Sequence, residues 1–169
     1  EKNDSNEAKS KQIKFSKDRP NYDLYTKRQG TVDIGLVSTT ETNEYLKVYL
    51  SDSVNGGSAK EAEESKENTI NENSGARNSD LTINFGNAKS MIVQVYYDEV
   101  EEYKDENGQT KYKVKKSYPV GRKYTFNIRA NIKDNQGNNG VIKSDNANLS
   151  SIKIKGETLE TLSGKKGFS

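Results

Sequence analysis

Histidine, cysteine and tryptophan are all absent from this chain of 169 residues. Without histidine or cysteine, the chain can form neither a Ser-His-Asp triad nor a Cys-His nucleophile, and it lacks the usual ligands of zinc. The absence of cysteine also removes disulfides and thiol redox chemistry. These absences exclude most hydrolase mechanisms. We therefore expect a protein that is not an enzyme and that holds no metal and no cofactor.

Apolar side chains are scarce as well. Only 30% of the residues are hydrophobic, and Leu, Ile, Val and Phe together number 32. The combined share of Leu, Ile, Val and Phe lies near the boundary at which a chain of high net charge is disordered. The net charge here is only +2, from 27 basic and 25 acidic residues, so self-repulsion does not oppose folding. The chain can fold wherever its apolar residues concentrate.

The few apolar residues are unevenly distributed along the chain. Residues 1–30 are mostly Lys, Asn, Asp, Ser and Glu, which predicts a flexible tether, and residues 163–169 form a polar tail. A single β-rich domain is expected over 31–162. Within it, residues 51–80 contain only two aliphatic side chains of the Val, Ile or Leu type, which predicts a disordered segment or a loop insertion.

Alternating apolar and polar residues predict the strands of this domain. Period-two patterns place one side of each strand in a core and the other in water. Seven or eight short strands with turn signals between them predict a mostly β fold, an antiparallel β-sandwich of immunoglobulin-like type or a barrel. The patterns lie at 31–36, 45–50, 81–85, 91 onward, 123–133 and 152–154, with a last short strand near Leu159 and Leu162.

Asn107-Gly108 is the strongest hairpin signal in the sequence. A two-residue loop centred there places Tyr103 opposite Tyr112. The same register sets further aromatic and opposite-charge pairs across the two strands, which favours it because such pairs stabilise a ladder. The other predicted pairs are Glu102 with Lys113, Glu99 with Lys116, and Tyr97 with Tyr118.

The distal half of this hairpin is too charged on both faces to pack on a core. We therefore expect a ribbon that projects from the domain. Tyrosine supplies a large contact area at low entropic cost, so the ribbon is the candidate partner-binding element. Its candidate residues are Tyr97, Tyr103, Tyr112, Tyr118, Lys113 and Lys116.

A composition rich in Lys, Asn, Ser, Glu and Tyr and free of Cys, with a polar tether before the strands, resembles β-sandwich domains of Gram-positive bacterial surface proteins. Pilin-like proteins, adhesins and lipoproteins share this style. The resemblance implies an extracellular module attached to the cell surface. Its expected partner is a protein, by self-assembly or by binding a host or matrix ligand. Membrane contact is expected only through a tether outside this chain.

Two alternatives to this function stay open at the level of sequence. The first is a ligand-binding or regulatory lipoprotein domain, which would need a concave apolar pocket. The second is a hydrolase that uses carboxylates alone, which would need two acids converging in a cleft.

Three further kinds of site are disfavoured by the residues themselves. A calcium loop starting at Asp134 has Asn139 where such a loop needs glycine; its other ligand positions would be Gln136, Asn138 and Asp145. A Lys–Asn isopeptide crosslink, as in Gram-positive pilins, needs both residues in the core. Alternation leaves only Lys47, among tyrosines, ambiguous, and it places outward the other candidates Asn84, Asn127, Lys123, Lys133 and Lys153.

Nucleic acid is not an expected partner, although lysines and tyrosines interleave along 111–124 as in single-strand binding surfaces. The facing strand of the hairpin is acidic over 98–106, which cancels the positive field that a phosphate backbone requires.

Overall fold

The computed structural model describes residues 21–26, 30–37, 43–130, 141–143, 152–154 and 157–158. This part of the chain contains ten strands, one 3-10 turn at Val54–Gly56 and one short helix, α1 (Glu63–Lys66). The strands are β1 (Asn21–Thr26), β2 (Thr31–Leu36), β3 (Glu44–Ser51), β4 (Lys60–Glu61), β5 (Asp80–Asn84), β6 (Ser90–Lys104), β7 (Thr110–Ala130), β8 (Val141–Lys143), β9 (Ile152–Ile154) and β10 (Glu157–Thr158).

The strands form two sheets that share one hydrophobic core. The first sheet has the order β4-β3-β6-β7-β1-β8, and the second has the order β10-β9-β2-β5. Neither sheet closes on itself within the described residues, so the arrangement is that of a sandwich and not of a barrel. The predicted mostly β fold is confirmed. Its core side chains include Val32, Ile34 and Ile83 from the second sheet and Leu46, Val93 and Phe126 from the first.

Strand β1 corrects the predicted boundary between tether and domain. It lies within residues 1–30, yet it pairs in parallel with the end of β7, from Asn21 opposite Thr125 to Thr26 opposite Ala130. Its side chain Tyr22 is fully buried, and its ring stacks on that of Phe126 at 5.7 Å. The tether prediction is therefore wrong for 21–26, and the sheet is not purely antiparallel. Residues 1–20 lie outside the described residues.

Residues 51–80 are folded and contain the turn at Val54–Gly56, strand β4 and helix α1, so the prediction of a disordered segment is wrong. Hydrogen bonds attach most of the segment, and Ala62 is its buried contribution to the hydrophobic core. Ala62 N donates to Val48 O at 2.8 Å, and Ser65 Oγ accepts from Val48 N at 3.1 Å. Ser65 Oγ also donates to Glu61 Oε2 at 2.8 Å. These contacts hold β4 and α1 against the edge of β3, because the segment has no apolar stripe that could pack there.

The turn at Val54–Gly56 is held on the first sheet in the same way. Asn127 Oδ1 accepts from Asn55 N at 2.8 Å, and Asn127 Nδ2 donates to Asn55 Oδ1 at 3.1 Å. Ser90 Oγ accepts from Gly56 N at 2.8 Å and donates to Ser53 O. Asn127 was predicted to point outward into water, but the turn covers it and leaves it only 8% exposed.

Truncating Phe126 tests the core described above. Its side chain is fully buried between the sheets, so Phe126→Ala is expected to lower the free energy of unfolding by about 3–5 kcal/mol. The control is Val54→Ala, because Val54 is 50% exposed and its truncation should change stability by less than about 0.5 kcal/mol. Denaturant unfolding of both variants checks this, and equal midpoints would contradict the core described above.

A fully buried tyrosine, Tyr22, and two half-buried ones make the stability fall at high pH. Burial, and then the neighbouring Tyr124 hydroxyl, raise the pKa of Tyr22 well above its usual range, and burial also raises the pKa of Tyr124 and of Tyr49. The unfolded chain loses these protons near pH 10, while the folded chain retains them. The folded state therefore binds more protons above about pH 10, so stability is full below that pH and falls as pH rises.

For the fully buried Tyr22, the expected loss is up to about 1.4 kcal/mol per pH unit, and the partly exposed Tyr49 and Tyr124 contribute less because solvent screens them. Denaturant midpoints measured between about pH 9 and pH 11 should fall, and they should fall less steeply in Tyr22→Phe. Identical slopes in the two proteins would show that the Tyr22 hydroxyl does not contribute.

Candidate functional site

The hairpin joining β6 to β7 turns where the sequence predicts, but not with a two-residue loop. Gly108 N donates to Asp105 O at 3.0 Å, and Asp105 N donates to Gln109 O at 3.0 Å. The Asp105 carboxylate accepts from the backbone N–H groups of Asn107 and Gln109, each at 2.9 Å. Gly108 has φ +76°, the left-handed conformation that ends the longer hairpin loops.

The longer turn shifts the distal register by one residue. Tyr103 lies opposite Lys111, and Tyr112 lies opposite Glu102. The predicted pairs of Tyr103 with Tyr112 and of Glu102 with Lys113 are therefore wrong. A bulge at Lys115 then absorbs the extra residue, because the ladder shifts between Glu99 and Val100. Below the bulge, the predicted pairs of Glu99 with Lys116 and of Tyr97 with Tyr118 are confirmed.

The base of this ribbon carries an exposed aromatic and aliphatic patch. The rings of Tyr97 and Tyr118 stack with centroids 5.6 Å apart and planes at 9°. Tyr118 is 40% exposed, and the neighbouring Val120 is 38% exposed. Tyr97 lies on the same side of β6 as the buried Val95, because side chains alternate along a strand. The patch thus continues the hydrophobic core to the surface.

The distal arm of the ribbon pairs its charges internally. Lys113 Nζ lies 3.5 Å from Glu101 Oε2 and 5.5 Å from the ring centroid of Tyr103. Tyr103 is 37% exposed, and Lys116 Nζ lies 5.6 Å from the ring centroid of Tyr118. The candidate residues therefore separate into a base with Tyr97, Tyr118 and Lys116 and an arm with Tyr103 and Lys113.

Tyr112 belongs to neither group, because the loop between α1 and β5 packs against it. Tyr112 N donates to Glu72 O at 2.8 Å. Gly75, at φ +80°, lies so close that a Cβ there would meet the Tyr112 ring at 3.3 Å. Lys111 Nζ donates to Asn73 Oδ1 at 2.6 Å. The expectation of a freely projecting ribbon is wrong on this side, since the loop contacts it.

A buried ion pair fixes that loop in place. Arg77 donates to both carboxylate oxygens of Asp98, from Nε at 2.6 Å and from Nη2 at 3.1 Å. Its Nη1 donates to Asn68 O at 2.7 Å, and the guanidinium lies 3.9 Å above the ring of Tyr45. Asp98 also accepts from Ser117 Oγ on β7, and its side chain is only 1% exposed.

Sequence reasoning missed this pair, although each member gave a signal. Asp98 directly follows the apolar run that starts at Met91, and a carboxylate there requires a partner once it is buried. Arg77 is the only arginine in the predicted insertion 51–80. Neither signal says which residue is the partner, because 21 residues separate the two along the chain.

The other sites considered from the sequence are a metal site, a calcium loop and a lysine crosslink. Within the described ranges, no group of three or more Asp, Glu, His or Cys side chains could hold a metal ion. Asp134, Gln136, Asn138 and Asp145 lie outside those ranges. The same part of the chain has no helix long and apolar enough to cross a membrane. Lys47, the remaining lysine considered for a crosslink, has its Nζ 4.5 Å from the ring centroid of Tyr96.

The Arg77–Asp98 pair is testable against a second Arg–Asp pair in the same protein. Arg77→Met leaves the Asp98 carboxylate buried without its cation and is expected to cost about 3–5 kcal/mol of stability. Arg129 lies 3.3 Å from Asp23, but its side chain is 49% exposed. Arg129→Met should therefore cost no more than about 1 kcal/mol. Denaturant unfolding measures both, and equal losses would contradict the role given to Arg77.

Comparisons with protein-family models, with curated proteins and with solved structures find no match for this chain.

Proposed function

We propose that this chain is a non-catalytic protein-binding module of the cell surface, a structural or adhesive subunit that contacts its partners through the base of the β6–β7 ribbon. The observation that carries the proposal is the exposed patch of Tyr118 and Val120, held by the stack on Tyr97. The cell-surface location rests on composition alone. The absence of histidine and cysteine supports a role without catalysis.

The stack makes the patch suited to binding. Tyrosine offers an apolar ring and a polar hydroxyl together, which is why it is enriched at interfaces. The Tyr118 ring is already ordered against Tyr97 in the free protein, at 5.6 Å. A partner therefore does not have to order that side chain on binding, and the entropic cost of association is lower.

Pro119, on the edge of β7 that faces away from β6, argues that the partner binds side chains and does not add a strand. Among the described strands, β1 joins β7 only from Thr125 onward. Asp98 N donates to Asn43 O on the β3 side, so the amide positions of Ser117 and, two residues on, Pro119 face away from β6. Proline has no N–H, and a proline facing a free edge is a common protection against strand addition.

The proposal is tested by selecting binding peptides from a random displayed library on the immobilised full chain. The selected peptides should lose about tenfold or more in affinity for a Tyr118→Ser, Val120→Ser double variant, because it removes the exposed patch. Tyr103→Ser is the matched control, since Tyr103 has similar exposure but lies in the distal arm.

Denaturant unfolding confirms that each variant is folded before its binding is measured. Peptides that bind the double variant as tightly as the unchanged chain would contradict the proposal. A loss with Tyr103→Ser alone would move the binding surface to the arm.

A further inference from the structure

Strand β7 carries charge of one sign only. Between Thr110 and Ala130 it has seven Lys or Arg residues and no Asp or Glu. Three of these cations are paired: Lys111 with Glu72, Lys113 with Glu101, and Arg129 with Asp23. The other four form no ion pair with any residue that the structure describes, and all four are exposed: Lys115, Lys116, Arg122 and Lys123.

The part of β6 that faces residues 118–125 of β7 does not neutralise their positive charge. From Tyr118 to Thr125, the residues opposite on β6 are uncharged and run from Tyr97 back to Ile92. Asp98 lies next along β6, but its carboxylate is buried and bound by Arg77. The cancellation of charge expected from the sequence therefore applies to the distal arm and to Lys116, which lies opposite the exposed Glu99. The segment from Tyr118 to Thr125 keeps the uncompensated positive charge of Arg122 and Lys123.

The unpaired cations lie on both sides of the exposed patch along the strand. Lys115 and Lys116 precede Tyr118, and Arg122 and Lys123 follow Val120. An apolar contact surface with cations at each end is complementary to a segment that has apolar residues in its centre and carboxylates on both sides.

The two faces of the Tyr118 ring distinguish such a segment from a single-stranded nucleic acid. Tyr97 covers one face by stacking, and the Lys116 ammonium lies 5.6 Å from the ring centroid. Base recognition on single strands needs an aromatic face on which the base can stack. The ring edge and the hydroxyl of Tyr118 suit contacts with protein side chains.

We propose that the base of the ribbon binds an acidic segment of a partner protein, whose apolar residues contact Tyr118 and Val120 and whose flanking carboxylates pair with the four unpaired cations. The inference rests on the proposed function, because it names the chemistry of the partner at the same surface.

The probe is a synthetic peptide with a central Leu-Tyr pair and glutamates on both sides, and its control has glutamine in place of every glutamate. Fluorescence anisotropy with the full chain should show the glutamate peptide binding about tenfold tighter or more at low salt. The difference should shrink at high salt, because exposed charges are screened.

Two variants of equal net charge test the position of the cations. Changing Lys115, Lys116, Arg122 and Lys123 together to Gln should weaken the glutamate peptide by about tenfold to a hundredfold, since each exposed pair contributes a modest factor. The control changes four exposed lysines elsewhere to Gln, and it should bind as the unchanged chain does: Lys60, Lys66, Lys89 and Lys104.

Each outcome separates this inference from the proposed function. Equal binding of both peptides, lost in the Tyr118→Ser, Val120→Ser variant, would overturn the acidic partner and keep the binding surface. Failure of both peptides would also overturn the acidic partner, and the library-selected peptides would then decide whether the surface binds at all. Tighter binding of oligothymidylate or of anionic phosphatidylserine vesicles than of the glutamate peptide would overturn a protein partner.

Discussion

The bidentate ion pair between Arg77 and Asp98 is the interaction on which the arrangement of this protein depends. Arg77 belongs to the loop that leads from the edge of the first sheet to β5 in the second, and Asp98 lies where β6 leaves the core. The pair therefore ties the connection between the sheets to the base of the ribbon. Burial makes it obligatory, because a carboxylate that is 1% exposed cannot lose its cation without a large cost.

In this fold, buried hydrogen bonds hold in place a segment that apolar burial would hold in most proteins. The segment 51–80 has almost no aliphatic residues, yet Ser65, Ser90 and Asn127 fix its turns to the strands through directed hydrogen bonds. Such contacts add modest net stability, but they are costly to leave unmade once buried. The low apolar fraction of the chain is thus compatible with an ordered insertion around a small two-sheet core.

Charge pairing also distinguishes the distal arm of the ribbon from its base. In the distal arm, acids and lysines face each other and reduce the net field, as with Lys113 and Glu101. At the base, Arg77 neutralises the Asp98 carboxylate, and the residues of β6 opposite Tyr118 to Thr125 are uncharged. A stabilising interaction in the interior therefore leaves the surface beside it positive, next to the exposed ring of Tyr118.

The sequence by itself determined the mostly β fold, the central strands and the Tyr97–Tyr118 pair, because alternation and cross-strand pairing are local or nearly local properties. It did not determine that β1 joins β7, that 51–80 is ordered, or that the hairpin register shifts at Lys115. Only the tertiary structure decided these, since each depends on a contact between distant residues or on one additional residue in a turn. The net positive charge at the base of the ribbon also depends on the tertiary structure, because Arg77 pairs with the Asp98 carboxylate that would otherwise offset it.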